Sequence, residues 1–273
     1  MFMQEIEKGR VIFEEDKHLY YYELDDIQQP LTSMTTVLKL VVKTDFTKVA
    51  KDYFLKYKSK DDDFLSLYMD VAKKNKLNLE NTIKMCEGVE LNSYKDVMKI
   101  WDIIRDKAAL KGTIYHKRKE DESYDRGCHP IKMDGSKKVS YGMSGLSGNY
   151  SELIVHNLFY KICGTADVVN FDGNKFSVRD YKTSKEKPIE SSSFKGDKMS
   201  SPVNHLLKND YWKFALQLSG YAFMLEEYGY ECNGLAVDWV KDVEKDIIEE
   251  VKLPYLKKEA KALFEYHKSL NKK

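Results

Sequence analysis

The segment GTADVVNFDGNKFSVRDYKTSK, residues 164–185, sets two acids and a base at strand spacing. Side chains alternate faces along a strand, so Phe176, Val178, Asp180 and Lys182 share one face. An acid and a base that follow two apolar residues on a core-facing side are costly unless they are paired or bind a metal. Asp172-Gly173-Asn174 supplies turn chemistry between this strand and the one before it. If Phe171 pairs with Phe176, Asp167 falls opposite Asp180; a two-residue loop sets it diagonally on the same face. In both registers the two carboxylates stand close together with Lys182 beside them. Adjacent carboxylates repel unless a cation lies between them, and oxygen ligands with open positions suit Mg²⁺ or Mn²⁺. Such a cation would activate a water and neutralise a phosphate, with Lys182 orienting the nucleophile or stabilising developing charge. A cross-strand salt bridge of Asp167 or Asp180 with Lys182 at a sheet edge accounts for the same residues, and here both readings stand open.

Two helical pairs add to this. His116 follows Gly112 by one turn, and Glu120 lies a further turn along the same face. Gln217 and Tyr221 are one turn apart, close to the apolar stripe Phe214, Leu218, Leu225.

The elements that must position these residues can be read from pattern. Residues 10–24 predict a hairpin, broken after by Pro30, with Ser33 or Thr35 capping a helix through Val37-Leu38. Residues 46–110 are mostly helical in pattern, with turns at Lys60-Asp61-Asp62-Asp63 and Glu87-Gly88. A longer helix is predicted from Tyr94 to Lys119. The stretch 121–149, rich in Gly, Ser and Lys, reads as a mobile loop. Strands are predicted at Tyr150–His156, Phe159–Phe171 and Lys175–Lys182, then a polar loop over 184–208 and a helix at Tyr211–Tyr228. Strands at Cys232–Val240 and Asp246–Lys252 and a C-terminal helix complete the chain. The second half thus predicts an α/β core with a mixed sheet, behind a helical N-terminal region.

Composition narrows the classes. In 273 residues, Lys plus Arg number 45 and Asp plus Glu 44, a net charge of +1. No apolar run approaches the roughly 20 residues of a membrane span, so no membrane partner is expected. The opening MFMQEIEKGR is polar and mixed in charge, so no signal peptide is expected. Cys86, Cys128, Cys163 and Cys232 have no CxxC spacing, which argues against a thiolate metal site and for reduced thiols in the cytoplasm. There is no Walker A motif, so no nucleotide-driven motor is expected.

Taken in order, Gly112-to-His116, Glu152, Gly164-Thr165-Ala166-Asp167, Asp180-Tyr181-Lys182 and Gln217-to-Tyr221 resemble the PD-(D/E)XK nuclease superfamily, and within it the RecB-like branch. Each match is weak alone; their order carries the resemblance. His18-Leu19-Tyr20 followed by Leu31-Thr32-Ser33-Met34-Thr35-Thr36-Val37-Leu38 is similar to the opening of phage-type and mitochondrial genome-maintenance single-strand DNA exonucleases, with Met34 where Val is usual. The resemblance covers residues 10–40 and 100–240.

It implies a restriction-endonuclease-like core, a mixed central sheet flanked by helices, over 93–273. Residues 1–92 would form a hairpin and helical region arching over the site, continuous with the core. It implies that Asp167, Asp180, the Tyr181 carbonyl and His116 bind one or two Mg²⁺ or Mn²⁺ ions. Lys182 would position the attacking water, with Glu152 supporting the site. Gln217 and Tyr221 would hold Lys182 or contact the DNA backbone. Ser33 and Thr36 would contact phosphate or cap the helix. No iron–sulfur cluster is expected, because the cysteines do not fit the cluster-bearing relatives. The implied activity is a metal-dependent DNA exonuclease, working from a single-stranded end in phage-type replication, recombination or repair, in the host cytoplasm if phage-encoded. Replication or recombination proteins are the protein partners to expect.

Cations and aromatics near the site would hold the strand: Lys117-Arg118-Lys119, Lys137-Lys138, Lys185, Lys187, Lys195, Lys198 and Lys208, with Tyr141, Phe194, Tyr211 and Trp212 for stacking. Neutral overall charge then implies modest affinity for duplex DNA in general. The competing readings are a structure- or sequence-specific endonuclease, a catalytically silent nucleic-acid-binding module, and an unrelated α/β binding protein.

Overall fold

Aromatic and β-branched residues build the first three strands. In β1 (Arg10–Glu14) and β2 (Leu19–Leu24), Val11, Phe13, Tyr20 and Tyr22 bury against Leu31 of β3 (Ile27–Ser33). The computed structural model describes residues 9–58, 63–74, 79–86, 89, 92–183, 189–192 and 196–271. Pro30, expected to break the chain, instead sits within β3 opposite Tyr21. β3 meets its other neighbour only at Thr32 and Ser33, so the missing N–H of Pro30 leaves no ladder bond unmade there. Ser33 caps the short α1 (Met34–Leu38).

Four helices follow: α2 (Phe46–Lys58), α3 (Asp63–Lys74), α4 (Leu79–Met85) and the 32-residue α5 (Tyr94–Asp125). They enclose a small core of their own, with Ala50, Leu67, Val71, Val97 and Ile100 at its centre. α5 starts at a capping box between Ser93 and Asp96. It outruns its predicted end at Lys119 because Lys119, Glu120 and Ser123 are buried. Its middle, residues 105–110, is exposed on every side, so the helix spans open solvent between the helical lobe and the sheet.

The stretch expected to be a mobile loop holds a hairpin, β4 (Lys132–Asp134) and β5 (Lys137–Ser140), turned at Gly135-Ser136. β5 pairs with β1, a tertiary contact that local Gly and Ser content does not reveal. The remaining strands are β6 (Gly148–Asn157), β7 (Ile162–Asp172) and β8 (Lys175–Lys182), then β9 (Glu231–Asp242) and β10 (Ile247–Leu253). Helix α6 (Asp210–Glu226) is buried almost all round from Phe214 to Leu225, and packs with α7 (Lys257–Leu270) against the sheet.

The result is an α/β architecture with a large mixed sheet flanked by helices. Ten strands run in the order β10-β9-β8-β7-β3-β2-β1-β5-β4, with β6 along the opposite edge of β7. Strands from either side of residue 92 therefore share one sheet. One edge of β7 is divided: β3 takes Ile162 and Cys163 in parallel, and β8 takes Val168–Asp172 antiparallel. Between them, along Gly164–Asp167, that edge has no strand beside it among the described residues. No helix among them is long and apolar enough to cross a membrane.

Candidate functional site

The sheet fork opens into a cavity of about 700 Å³. His116 reaches it from α5, Glu152 from β6, Asp167 from β7, and Asp180 and Lys182 from β8. Gly112 lets α5 approach the end of β8, since a Cβ there would lie 3.2 Å from Thr183 Oγ1. One turn on, His116 Nδ1 stands 3.2 Å from Asp167 Oδ2. The β7–β8 ladder runs from Asp172↔Lys175 through Phe171↔Phe176 to Val168↔Arg179, the register that sets Asp167 opposite Asp180. There a side-chain bond takes over from the ladder: the Tyr181 N–H donates to Asp167 Oδ2 over 2.7 Å.

Glu152 is positioned by a break in regular pairing. Ser151 pairs with Val168 and Leu153 with Ala166, while Glu152 drops out of the ladder. Its φ of +54° lies in the left-handed region, which a non-glycine residue adopts at a cost. One donor atom each from His116, Glu152 and Asp167 lies within 4.8 Å of the others. A carboxylate–imidazole cluster of this kind has the donor chemistry that Mn²⁺ or Mg²⁺ accepts. Asp180, expected among the ligands, is not in this trio; its Oδ2 pairs with Lys182 Nζ, which neutralises it locally.

Burial and like charge raise two of the acids. Desolvation, with Asp167 nearby, lifts Glu152 to about 7. Desolvation likewise lifts Asp180 to about 6, opposed by Lys182. Asp167 goes the other way: burial raises it, but His116, Lys182 and the Tyr181 N–H together hold it below its ordinary value. His116 is raised, because Asp167 outweighs the desolvation that would lower it. Lys182 is raised too, its burial outweighed by Asp180 and Asp167. Three carboxyl groups and one histidine thus share one place, and each is shifted by burial and by its neighbours.

The remaining expected residues lie in and around the same cavity. Gln217 and Tyr221 line the cavity from α6, and Gly164 makes room for Tyr221, whose Cε1 would lie 2.5 Å from a Cβ there. Gln217 Nε2 donates to Tyr221 Oη at 3.1 Å, so the pair bond to each other, and Lys182 is held by Asp180 and the Phe214 ring. Ser33 lines the cavity but caps α1, accepting from the Thr36 N–H at 3.2 Å and donating to Thr36 Oγ1 at 2.9 Å. Thr36 does not line it. Tyr181 meets the cluster through its backbone N–H, while its ring packs on Tyr115 and His116. Lys185, Lys187, Phe194 and Lys195 lie outside the described residues.

The expected cationic strip is partly committed elsewhere. Of Lys117-Arg118-Lys119, the first lines the cavity, but Arg118 and the buried Lys119 turn to Asp246 in the β9–β10 turn. Lys208 Nζ donates to the Lys43 carbonyl, and Trp212 Nε1 to the Ser191 carbonyl. Lys138, by contrast, is buried at the cavity wall, 3.4 Å from Glu15 and 3.6 Å from Glu152. Glu15, His18 and Tyr20 complete that wall, with Tyr20 Oη 3.0 Å from Thr165 Oγ1. These three were not anticipated as site residues. The two-residue alternation of β2 shows that Tyr20 faces inward, but not what it faces.

The sequence matches no protein-family model, and no curated protein matches it.

Proposed function

We propose that this protein is a metal-dependent deoxyribonuclease of the PD-(D/E)XK kind, hydrolysing phosphodiester bonds from a single-stranded DNA end. The observation that carries this reading is the meeting of His116, Glu152, Asp167, Asp180 and Lys182, drawn from four elements, around one cavity. A salt bridge along β8 explains Asp180 with Lys182, but it leaves the imidazole and two further carboxylates gathered at the same place without a cause.

His116, Glu152 and Asp167 would hold a divalent cation, with Asp180 beside them. When bound, the cation supplies Lewis acidity toward a phosphate oxygen and a water. The chain's own groups do the rest. Lys182, held against Asp180, presents an ammonium group to the developing charge and orients the attacking water. Glu152, lifted to about 7 in the cation-free cavity, would give up its proton as the cation binds. Lys138 balances Glu152 from the opposite side.

The test is incubation of end-labelled single- and double-stranded DNA with Mg²⁺, Mn²⁺ or EDTA, alongside Asp180→Ala and Lys182→Ala. We expect cleavage only with a divalent cation, and a loss of about 100-fold or more in either variant. Absence of cleavage by the wild type, or full activity in both variants, refutes the reading. Closed circular single strands cut as fast as linear ones would convert the exonuclease to an endonuclease.

A further inference from the structure

A second cavity, about 330 Å³, lies behind the first, and Glu152 lines both. It is lined by residues of the 121–149 stretch and the start of β6. They include His129, Ile131, Lys132, Ser140 and Tyr141, and β6 from Tyr150 to Ile154. Lys132 Nζ stands 4.9 Å from the centroid of the Tyr141 ring, which is 46% exposed. The His129 ring lies 4.7 Å from that of Tyr150, tilted by 36°. Among the residues lining this cavity, Glu152 is the single acid.

We propose that this second cavity seats one unpaired nucleobase of the DNA strand whose backbone lies against the Glu152 cluster. The inference rests on the nuclease reading and deepens it by naming which form of nucleic acid the site accepts. An exposed tyrosine with a lysine ammonium beside it is the chemistry of single-strand binding, where a base stacks and a phosphate pairs. Continuity through Glu152 places the seat next to the proposed cleavage cluster. The volume is at the low end for a small-ligand site, a size that suits a single base.

Fluorescence anisotropy with a short single-stranded oligonucleotide tests this, with Ca²⁺ in place of the catalytic cation. The probes are the intact oligonucleotide, its duplex, and a set carrying one abasic position each. Wild type is expected to prefer the single strand, and one abasic position to weaken binding about tenfold. Tyr141→Ala should lose about the same tenfold and become insensitive to that position, while Tyr141→Phe retains wild-type binding. Lys132→Ala should lower the slope of log affinity against log salt by about 0.7. Calorimetric Mn²⁺ affinity unchanged in both variants shows that the fold and cluster are intact.

An abasic profile identical in wild type and Tyr141→Ala overturns the seat, even where the wild type cleaves DNA. So does a wild type that binds no oligonucleotide. Tyr141-dependent binding without any cleavage would keep the seat and refute hydrolysis.

Discussion

Glu152 combines a left-handed backbone with a carboxyl group that burial and Asp167 lift to about 7. Both are costs to the folded state, and residues so treated cluster where function needs them. The sign is fixed by linkage. The unfolded chain loses the Glu152 proton near 4.5 and the folded chain only near 7, so this group removes stability as pH rises through that window. Glu152→Gln is therefore expected to raise the cation-free melting stability at pH 8 by about 1–2 kcal/mol. The same variant should lose Mn²⁺ affinity. A cation must also displace the proton held by Glu152 near 7 and the one on His116, whose pKa is raised by Asp167. Affinity should fall by about tenfold per pH unit for each proton displaced as pH drops across that range. Calorimetry in buffers of different ionisation heat reads the released protons directly. The opposition of Asp167 and Asp180 was legible in the sequence, because strand alternation and the Asp172-Gly173-Asn174 turn leave few registers. The kink at Glu152 was not, since nothing in the composition of β6 marks a residue that drops out of a ladder.

At the scale of elements, α5 is the part whose placement matters most to the cluster. Its Gly112–His116 spacing and helical period were readable. What anchors it was not, because the anchor lies far along the chain. Asp246, itself at φ +53°, accepts from Tyr115 Oη at 2.7 Å and from Arg118 Nη2 at 3.2 Å, and pairs with Lys119. These donors flank His116, so the β9–β10 turn sets the rotation and height of the helix that carries the imidazole. Asp246→Ala is expected to weaken Mn²⁺ binding by about tenfold, as loss of an outer hydrogen-bonding partner does in metal sites. Asp246→Asn, which still accepts from Tyr115, should recover part of that. Unchanged affinity in the alanine variant would show that α5 holds its position without the anchor. The β4–β5 hairpin makes the same point about legibility: its strands are short and polar, and β1 gives them their order.

At the scale of the whole molecule, stability toward acid turns on a group remote from the cavity. His156, on β6, is 1% exposed, bonds Tyr228 Oη at 3.3 Å, and has no partner for Nδ1 among the described residues. Burial lowers it to about 4. The unfolded state takes up that proton near 6.5 and the folded state only near 4, so stability is lost as pH falls through this window. The loss by pH 4 is about 3 kcal/mol. Chemical denaturation between pH 7 and 4 should show this limb in the wild type and a flatter one in His156→Gln. The mixed α/β class and the order of its later elements were visible from periodicity. The joining of the N-terminal strands to the same sheet was not, because β3 meets β7 through only Thr32 and Ser33.

The fork along β7 gives the cavity a floor that is partly main chain. Between the last pair with β3 and the first with β8, Gly164–Asp167 has no ladder partner on that edge among the described residues, and Gly164, Thr165 and Asp167 line the cavity. Peptide dipoles are the same whatever side chain they carry. A substitution at Thr165 that leaves the backbone in place therefore keeps these peptide groups, whereas a Cβ at Gly164 would meet Tyr221 at 2.5 Å. A side-chain scan of the cavity will account for the cluster and its electrostatics, and will be blind to whatever the main chain contributes there.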